Sequence, residues 1–307
     1  MLATLMCAVA LAACGGDDPA APVESSTPQT SAPDVRPTET PTATAAGVAR
    51  KDRFDEDRAW KQLEYQVNLG PRPAGSPELK KLAGYIKARI PRGKFESVPG
   101  GLTNVVGEIP GKGKAIVLAA HYDTKDIPGF VGANDGAGGT AAVLEIARVM
   151  KGMKRPKNAP PIRFVFFDGE EATDDNDFYG TGVRGSKAYA DKHAKDVKEL
   201  VLLDFVADKD LSIPREESSD EKMWARLRKA AEQVGSASVF PEESQGVVLD
   251  DHTPFIRKGI PSIDLIDFTF ECWHQTCDDL TAVSKESLDL SGEAVLQYML
   301  TAWKSKA

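Results

Sequence analysis

The chain has 307 residues, of which 41% are hydrophobic and 27% are charged, as expected for a globular protein with one large domain or two small ones. Its net charge of −8 at pH 7 argues against nucleic acid as a partner, because nucleic-acid-binding surfaces are basic. Its four cysteines are too few for a disulfide scaffold.

The first 14 residues form an apolar leader that is too short to span a bilayer. Leu11 to Cys14 reads LAAC, with small residues before a cysteine as in a lipoprotein processing site, although no Lys or Arg precedes the apolar run. Processing there would leave Cys14 as a lipid-bearing N-terminus, and an ordinary signal peptide cut nearby is the alternative. We therefore expect an exported protein in the cell envelope, lipid-anchored to a membrane, with its domain outside the cytoplasm.

Residues 15–53 are rich in Pro, Thr, Ala, Ser and Asp and show no apolar period, which predicts a disordered tether. One folded domain is expected over residues 54–307. It opens with a helix that has acids in its first turn and ends at Gly70-Pro71, and a second helix follows the N-cap Ser76.

Apolar runs and helical periods then alternate along the chain. Strands are predicted at 103–109 (an edge strand), 115–120 (a central strand), 163–167, 200–203 and 261–266. Helices are predicted at 141–150, 185–193, 220–234, 250–258 and 284–303. This order predicts an α/β fold, a three-layer α/β/α sandwich with a mixed, mostly parallel central sheet.

Acidic residues follow the most apolar of these strands. Phe164 to Phe167 reads as a fully buried strand, Asp168-Gly169 stops it, and the paired carboxylates Glu170 and Glu171 come next. Open α/β sheets hold their sites at the carboxyl ends of strands. Adjacent side chains point in different directions, so one glutamate could bind a metal while its neighbour faces a substrate.

Other polar residues recur after apolar runs or in glycine-rich turns, except His274, which follows an aromatic-rich stretch that ends at Trp273. With the two glutamates, the set is His121, Asp135, Glu170, Glu171, Asp204 and His274. Imidazoles and carboxylates are what zinc takes when thiolates are absent. Five ligands with one shared carboxylate could hold two zinc ions roughly 3.5–4 Å apart.

The motifs carry a family resemblance. They are HYDTK (121–125), FVGANDGAGG (130–139), FFDGEEA (166–172), LLD (202–204) and WH (273–274), with GPRPAGSPE (70–78) before them and DDHTPFIRKGIPSIDLIDF (250–268) before WH. In this order they resemble the zinc aminopeptidase superfamily and look most like its glutaminyl cyclase branch. The resemblance implies a zinc exopeptidase-like fold over nearly the whole domain. The chain differs from animal cyclases at 172–176, which lacks their tryptophan, and at Asp264, where they have a histidine.

The resemblance also implies roles for single residues. In the two-zinc peptidases, the Asp135 position bridges the metals, Glu171 and His274 match ligands of the first, and His121 and Asp204 match ligands of the second. The Glu170 position is the general base there. In the cyclases, the positions of Asp135, Glu171 and His274 hold a single zinc and the Glu170 position shuttles protons. The Asp204 and Asp250 positions form a hydrogen-bonded acidic network.

Two chemistries at peptide or protein N-termini therefore remain open. An aminopeptidase activates water between metals with a carboxylate base. A cyclase uses the substrate's own α-amine, which attacks the side-chain amide of an N-terminal glutamine and expels ammonia. Lys125, Asp250 and Trp273 favour the cyclase; the alternatives are a solvated loop charge, a helix N-cap and a packing residue, respectively.

The cyclase interpretation makes further predictions. Trp273, with Phe268 or Phe270, would wall a small apolar substrate pocket, and one or two zinc ions would be bound. We expect a monomer, and a Cys272–Cys277 disulfide if the protein is exported. His193 is expected at the surface, and His252 is expected to orient its turn. A non-catalytic surface binding protein is the third hypothesis, although none of the ligand positions nor Glu170 is lost.

Overall fold

The computed structural model describes residues 52–304. The predicted leader with its Cys14, and the predicted tether up to residue 51, lie outside the described residues. Arg53, which the sequence analysis placed in the tether, already contacts the last helix, where its guanidinium donates to Gln297 Oε1 at 2.8 Å. The folded domain thus begins no later than Arg53.

The helices and strands alternate as predicted. The helices are α1 (Glu56–Val67), α2 (Pro77–Arg89), α3 (Ala137–Gly152), α4 (Phe178–Thr181), α5 (Arg184–His193), α6 (Glu221–Val234), α7 (Thr253–Ile256) and α8 (Lys285–Lys304). The strands are β1 (Lys94–Val98), β2 (Leu102–Ile109), β3 (Ala115–His121), β4 (Ile162–Phe167), β5 (Val197–Leu203), β6 (Arg215–Glu216), β7 (Ser244–Gln245) and β8 (Ser262–Leu265). Within residues 52–304, no helix is both long enough and apolar enough to cross a bilayer.

Six strands form one mixed sheet in the order β1-β2-β4-β3-β5-β8. β1 and β2 are antiparallel to their neighbours, whereas β4, β3, β5 and β8 run parallel to one another. The predicted mixed, mostly parallel sheet is confirmed. Because the four parallel strands share one direction, their carboxyl ends meet at a single edge, and the residues that follow them are brought together there.

Helices cover both faces of this sheet. Alternate residues of the central strands point to opposite sides: Ile116 and Leu118 of β3 pack in the larger core with α1, α2, α3, α6 and α8, and Val117 and Ala119 pack in the smaller core with α5 and α7. All seven residues of β3 are buried, which explains its unbroken apolar sequence.

Sequence signals mark several helix starts correctly. The side chains of Asp55, Ser76 and Asp220 accept hydrogen bonds from backbone N–H groups in the first turns of α1, α2 and α6. These bonds satisfy donors that have no partner within the helix.

Two parts of the predicted layout are wrong. β2 is not an edge strand, because β1 pairs with it on the outside; β1 escaped notice because three of its five residues are exposed. α3 begins at Ala137 rather than Ala141, within glycines that a sequence argument assigns to a turn. Gly139 has a reason to be there, because a Cβ at this position would lie 2.2 Å from the Leu203 carbonyl oxygen of β5.

Candidate active site and metal centre

Two polar residues at the ends of neighbouring strands converge with a third from a turn. His121 is the last residue of β3, and Asp204 follows β5 directly. The His121 Nε2 atom lies 3.0 Å from Asp204 Oδ1 and 3.3 Å from Asp135 Oδ1. All three residues are buried. The strand ends thus bring together side chains that are far apart in the sequence.

Asp135 lies in the glycine-rich turn between β3 and α3. Gly136 has a φ of +88°, and a Cβ there would lie 2.7 Å from the Asp123 carbonyl oxygen. The Asp278 carboxylate accepts hydrogen bonds from the backbone N–H groups of Asn134 (2.7 Å) and Asp135 (3.0 Å). The turn is therefore held from a distant part of the chain, and its one carboxylate ligand is aimed at the sheet edge.

Buried Arg72 supports the same turn from the opposite side. Its guanidinium donates to the carbonyl oxygens of Gln66, Gly70 and Val131, each at 2.9 Å, and to that of Gly132 at 3.3 Å. Burial lowers the pKa of Arg72 to about 10, and the partners are backbone carbonyls rather than carboxylates. This explains why an arginine stands in the GPRP segment.

The paired glutamates are held by their backbone. Gly169, with φ +72°, turns the chain after β4. The two oxygens of Asp123 then accept the N–H groups of Glu170 (3.2 Å) and Glu171 (3.3 Å). Their side chains have different neighbours: Glu171 Oε2 lies 3.3 Å from His274 Nε2, whereas the charge that most raises the pKa of Glu170 is that of Asp250.

His274 comes from a loop rather than from a strand end. This residue has a left-handed backbone, with φ +54°, and it lies between Cys272 and Cys277, which form a disulfide. Its Nε2 atom is 3.7 Å from Asp135 Oδ2. His274 thus lies near one oxygen of Asp135, and His121 lies near the other.

These side chains fit a metal centre. Two groups, His121/Asp135/Asp204 and Asp135/Glu171/His274, each bring their donor atoms within 4.8 Å of one another, and Asp135 belongs to both. Asp135 Oδ2 and Glu171 Oε1 are buried without a hydrogen-bond partner, which is costly unless a cation is bound between them. Imidazole and carboxylate donors in this number suit zinc. The structure therefore brings the five candidate ligands together at one place.

Burial and like charge perturb the acids of the site. Burial raises the pKa of Glu170 well above its usual range, and the charge of Asp250 raises it further. Burial and then Asp250 also raise the pKa of Asp204. Burial, followed by the charge of Asp135, raises the pKa of Glu171 to about 7. Such shifts are typical of functional sites.

The imidazoles shift in the direction that their acidic neighbours favour. Burial acts to lower the pKa of His121, but Asp204 and the other surrounding carboxylates raise it well above its usual range. The pKa of His274 is raised by Glu171 against the effect of burial. A bound cation would oppose both shifts, because it competes with the proton for the ring nitrogen.

The site opens into a cavity of about 660 Å³. Acidic residues line its floor, and its apolar walls are Phe205, Val247, Val248, Leu249, Ile266, Phe268 and Trp273. Trp273 is 44% exposed, stacks on His274 with 4.5 Å between ring centroids, and lies 4.9 Å from the Phe268 ring. Trp273 and Phe268 therefore both line the cavity.

Phe270 does not line the cavity, so the prediction for it is wrong. It is 9% exposed and packs behind the wall against Phe205, with 6.0 Å between ring centroids. Two residues after Phe268, its side chain turns towards the small core that contains Ile266.

Two of the residues that favoured the cyclase are Lys125 and Asp250. Their alternative interpretations, a solvated loop charge and a helix N-cap, do not match the structure. Lys125 is buried rather than solvated: its Nζ donates to the Ala172 carbonyl oxygen at 2.9 Å and lies 3.8 Å from Glu171 Oε2. The Asp250 side chain accepts a hydrogen bond from the adjacent Asp251 N–H, and its second oxygen is buried without a hydrogen-bond partner. Asp250 lines the cavity and is not the N-cap of the helix that follows it, which is His252.

The remaining histidines lie apart from the cavity. His252 is fully buried, with its Nε2 3.3 Å from Glu216 Oε2 and its Nδ1 3.6 Å from Asp264 Oδ2. Together with Asp250, His252 and Asp264 form a third acidic group behind the site. His193 is half-buried rather than at the surface, because it pairs with Glu96 at 2.7 Å.

Sequence reasoning missed three supporting residues: Arg72, Asp123 and Asp278. Each acts on backbone groups of a ligand-bearing turn, so none has the spacing of a metal ligand. For Asp123 the sequence held one indication: it comes two residues after His121, the last residue of β3.

Comparisons with known proteins agree with this fold and site. Residues 104–299 match the family model described as peptidase family M28, and the chain belongs to this family. Glutaminyl-peptide cyclotransferase from Bos taurus is 30% identical over 236 residues, which cover 64% of this chain and 65% of the bovine protein. The chain thus matches just under two thirds of that relative.

A second relative and a solved structure represent both branches of the resemblance. Aminopeptidase YwaD from Bacillus subtilis is 30% identical over 206 residues, covering 62% of this chain and 42% of that protein. The crystal structure of an Acidobacteriales bacterium glutaminyl cyclase superposes with a TM-score of 0.71 at 29% identity, covering 85% of this chain and 98% of that one. The fold of the zinc exopeptidases and bacterial glutaminyl cyclases is therefore that of this chain.

Proposed function

We propose that this protein is a zinc-dependent glutaminyl-peptide cyclotransferase, which converts an N-terminal glutamine to pyroglutamate and releases ammonia. The observation that carries the proposal is the position of Asp250. Asp250 lines the same cavity as Glu170 and Asp204, and its charge adds to the effect of burial in raising the pKa of each. A raised pKa brings a carboxyl group closer to the working pH, where the group can accept a proton and then return it.

Asp135, Glu171 and His274 would hold the zinc, which would supply Lewis-acid polarisation of the substrate's side-chain amide. The α-amine nitrogen then attacks the amide carbon, and a new C–N bond forms. Glu170 takes a proton from the attacking nitrogen and delivers it to the leaving nitrogen, so that ammonia departs as the old C–N bond breaks. The transfer consumes no water and requires no net proton.

The rest of the cavity suits this reaction. Asp204 and Asp250 are acceptors that orient the protonated groups near Glu170. The apolar walls formed by Trp273 and Phe268 exclude water, which would otherwise compete with the tethered amine. Exposed Val247 and Leu249 extend the wall towards the surface, where the rest of a peptide would lie.

One observation favours a second candidate, a two-metal aminopeptidase. The five potential ligands form two groups that share Asp135, as a bridged pair of metals requires. In that case Asp204 and His121 would bind a second ion, and Glu170 would act as the base for a water molecule.

The test uses a Gln-initiated and a Leu-initiated peptide of otherwise identical sequence, followed by mass measurement. The cyclase predicts loss of ammonia from the Gln peptide and an intact Leu peptide. Release of free leucine would make the protein an aminopeptidase.

We also propose that the protein is exported and lipid-anchored through Cys14, acts on N-termini outside the cytoplasm, and is a monomer. The Cys272–Cys277 disulfide supports export, because disulfides persist in oxidising compartments. The LAAC sequence and the long polar segment after it support the anchor.

A further inference from the structure

One loop, residues 270–279, reaches two of the metal-ligand positions. It supplies His274 directly, and through the Asp278 carboxylate it holds the backbone N–H groups of Asn134 and Asp135 at 2.7 and 3.0 Å. The Ala133 N–H donates to the Asp278 backbone carbonyl at 3.2 Å, which joins the two segments further. The imidazole and the shared carboxylate of the site therefore depend on the same short loop.

The disulfide closes this loop around His274. The Cα atoms of Cys272 and Cys277 are 5.4 Å apart, with His274 between them. Inside the loop the Gln275 N–H donates to the Cys272 carbonyl oxygen (3.0 Å), and the Asp279 N–H donates to that of Cys277 (2.8 Å).

His274 requires such support because its φ of +54° lies in the left-handed region. Residues other than glycine adopt this conformation at a cost, so it persists where the surroundings impose it. A left-handed conformation at a single residue sets the direction in which its side chain points. Here it points Nε2 at Glu171 Oε2, 3.3 Å away.

Both ends of the loop are fixed to the domain. Cys272 packs against the small apolar core of Phe205, Ile266 and Phe270. At the other end Asp278 is fully buried. The disulfide spans these two anchors, so the chain between them has little freedom other than the conformation observed.

We propose that the Cys272–Cys277 disulfide and the Asp278 carboxylate are positioning groups for the zinc centre. The disulfide holds the His274 imidazole in its binding direction, and Asp278 holds the turn that carries Asp135. Loss of either group weakens zinc binding while the domain stays folded. The inference rests on the zinc centre of the proposed function but not on which reaction that centre catalyses.

The experiment measures zinc affinity by competition with a chromophoric chelator, without an activity assay. The proteins are the full chain, Cys272→Ser/Cys277→Ser, Asp278→Asn and the matched control Asp279→Asn. Asp279 lies in the same loop, but its carboxylate accepts only from Thr281, at 2.6 and 2.7 Å. Removing groups that orient a ligand typically costs about 10–100-fold in metal affinity, and we expect losses of this size in the first two variants and none in the control.

Two further readouts separate positioning from general damage. Circular dichroism and thermal unfolding of the metal-free proteins should show that each variant remains folded. With cobalt in place of zinc, the visible absorption of the double variant should shift, because the imidazole no longer binds in its original geometry. A phosphine reductant, which is not a thiol chelator, should weaken zinc binding by the full chain but not by the double variant.

The outcomes are distinct. A full chain that binds no zinc refutes the proposed centre itself. Zinc affinity equal to that of the full chain in the double variant, or in Asp278→Asn, removes that group from the proposal. If the double variant does not fold, the reductant measurement on the folded full chain decides for the disulfide, and unchanged affinity on reduction overturns it.

Discussion

Glu170→Gln should abolish turnover and leave zinc bound. The amide of glutamine matches the carboxyl group in shape but cannot take up and return a proton. The backbone should not move, because Asp123 holds the N–H groups of residues 170 and 171 at 3.2 and 3.3 Å whatever side chain follows. Removal of a general acid/base costs about 10²–10⁴-fold in rate, which corresponds to about 3–5 kcal/mol in the activation barrier.

The neighbouring variant Glu171→Gln is the matched control. Its carboxylate lies 3.3 Å from His274 Nε2 and within the same donor group as Asp135, so this substitution should release zinc first and lose activity as a consequence. Steady-state kinetics on both variants measure the loss of activity, and elemental analysis measures the loss of zinc. Equal zinc loss in the two, or a Glu170→Gln enzyme that retains more than about a tenth of the rate, would refute the separation of roles.

Four further predictions concern the wall, the supports, the pH response and the anchor. Trp273→Ala should raise the KM for Gln peptides more than it lowers kcat, because the indole walls the cavity but transfers no proton; an unchanged KM speaks against a substrate wall. Arg72→Lys should lower the free energy of unfolding by about 2–5 kcal/mol in denaturant titration, since lysine cannot satisfy four buried carbonyl oxygens; no loss would mean that the carbonyls find other donors. Burial, followed by the charge of Asp123, raises the pKa of Asp168 from 3.8 to about 7. The folded state therefore holds a proton that the unfolded state has released, so the stability of the metal-free protein should fall as pH rises through this range. Asp168→Asn should reduce that decline, and an identical slope in both proteins contradicts the shift. Cys14→Ser should move the protein from the membrane to the soluble fraction after cell fractionation, and unchanged partition counts against lipid attachment.

The fold was predictable where local signals coincide with burial. The continuous apolar run of β3 and the Ser76 N-cap of α2 each have a single physical explanation, and both elements form as expected. β1 was not predictable, because its KFESV sequence is mostly exposed and makes its contribution through pairing with β2. The start of α3 was hidden in glycines whose presence depends on the close approach of β5, a tertiary fact.

The residues of the site likewise divide into those that the sequence predicts and those that it does not. His121 ends a strand, and Glu170 and Asp204 come after strands. Because the carboxyl ends of parallel strands meet at one edge of the sheet, the strand assignments alone place these three residues there. His274 lies in a disulfide-closed loop, so no strand end places it at this edge, and its role as a ligand was implied by the resemblance of the WH motif. Asp123 and Asp278 were missed because they bind backbone N–H groups, and such contacts leave no periodic trace in the sequence.

The central claim is that the α-amine of the substrate, and not water, is the nucleophile. The most direct measurement uses a Gln-initiated peptide with a heavy-nitrogen label in the side-chain amide, followed by mass analysis of both products. The account predicts that all released ammonia carries the label. The mass of the peptide product should be lower by that of one ammonia molecule alone, and its N-terminus should be blocked. Labelled ammonia with a Glu-initiated peptide would show attack by water on the amide. Free labelled glutamine would show cleavage of the peptide bond, and either result would contradict cyclisation.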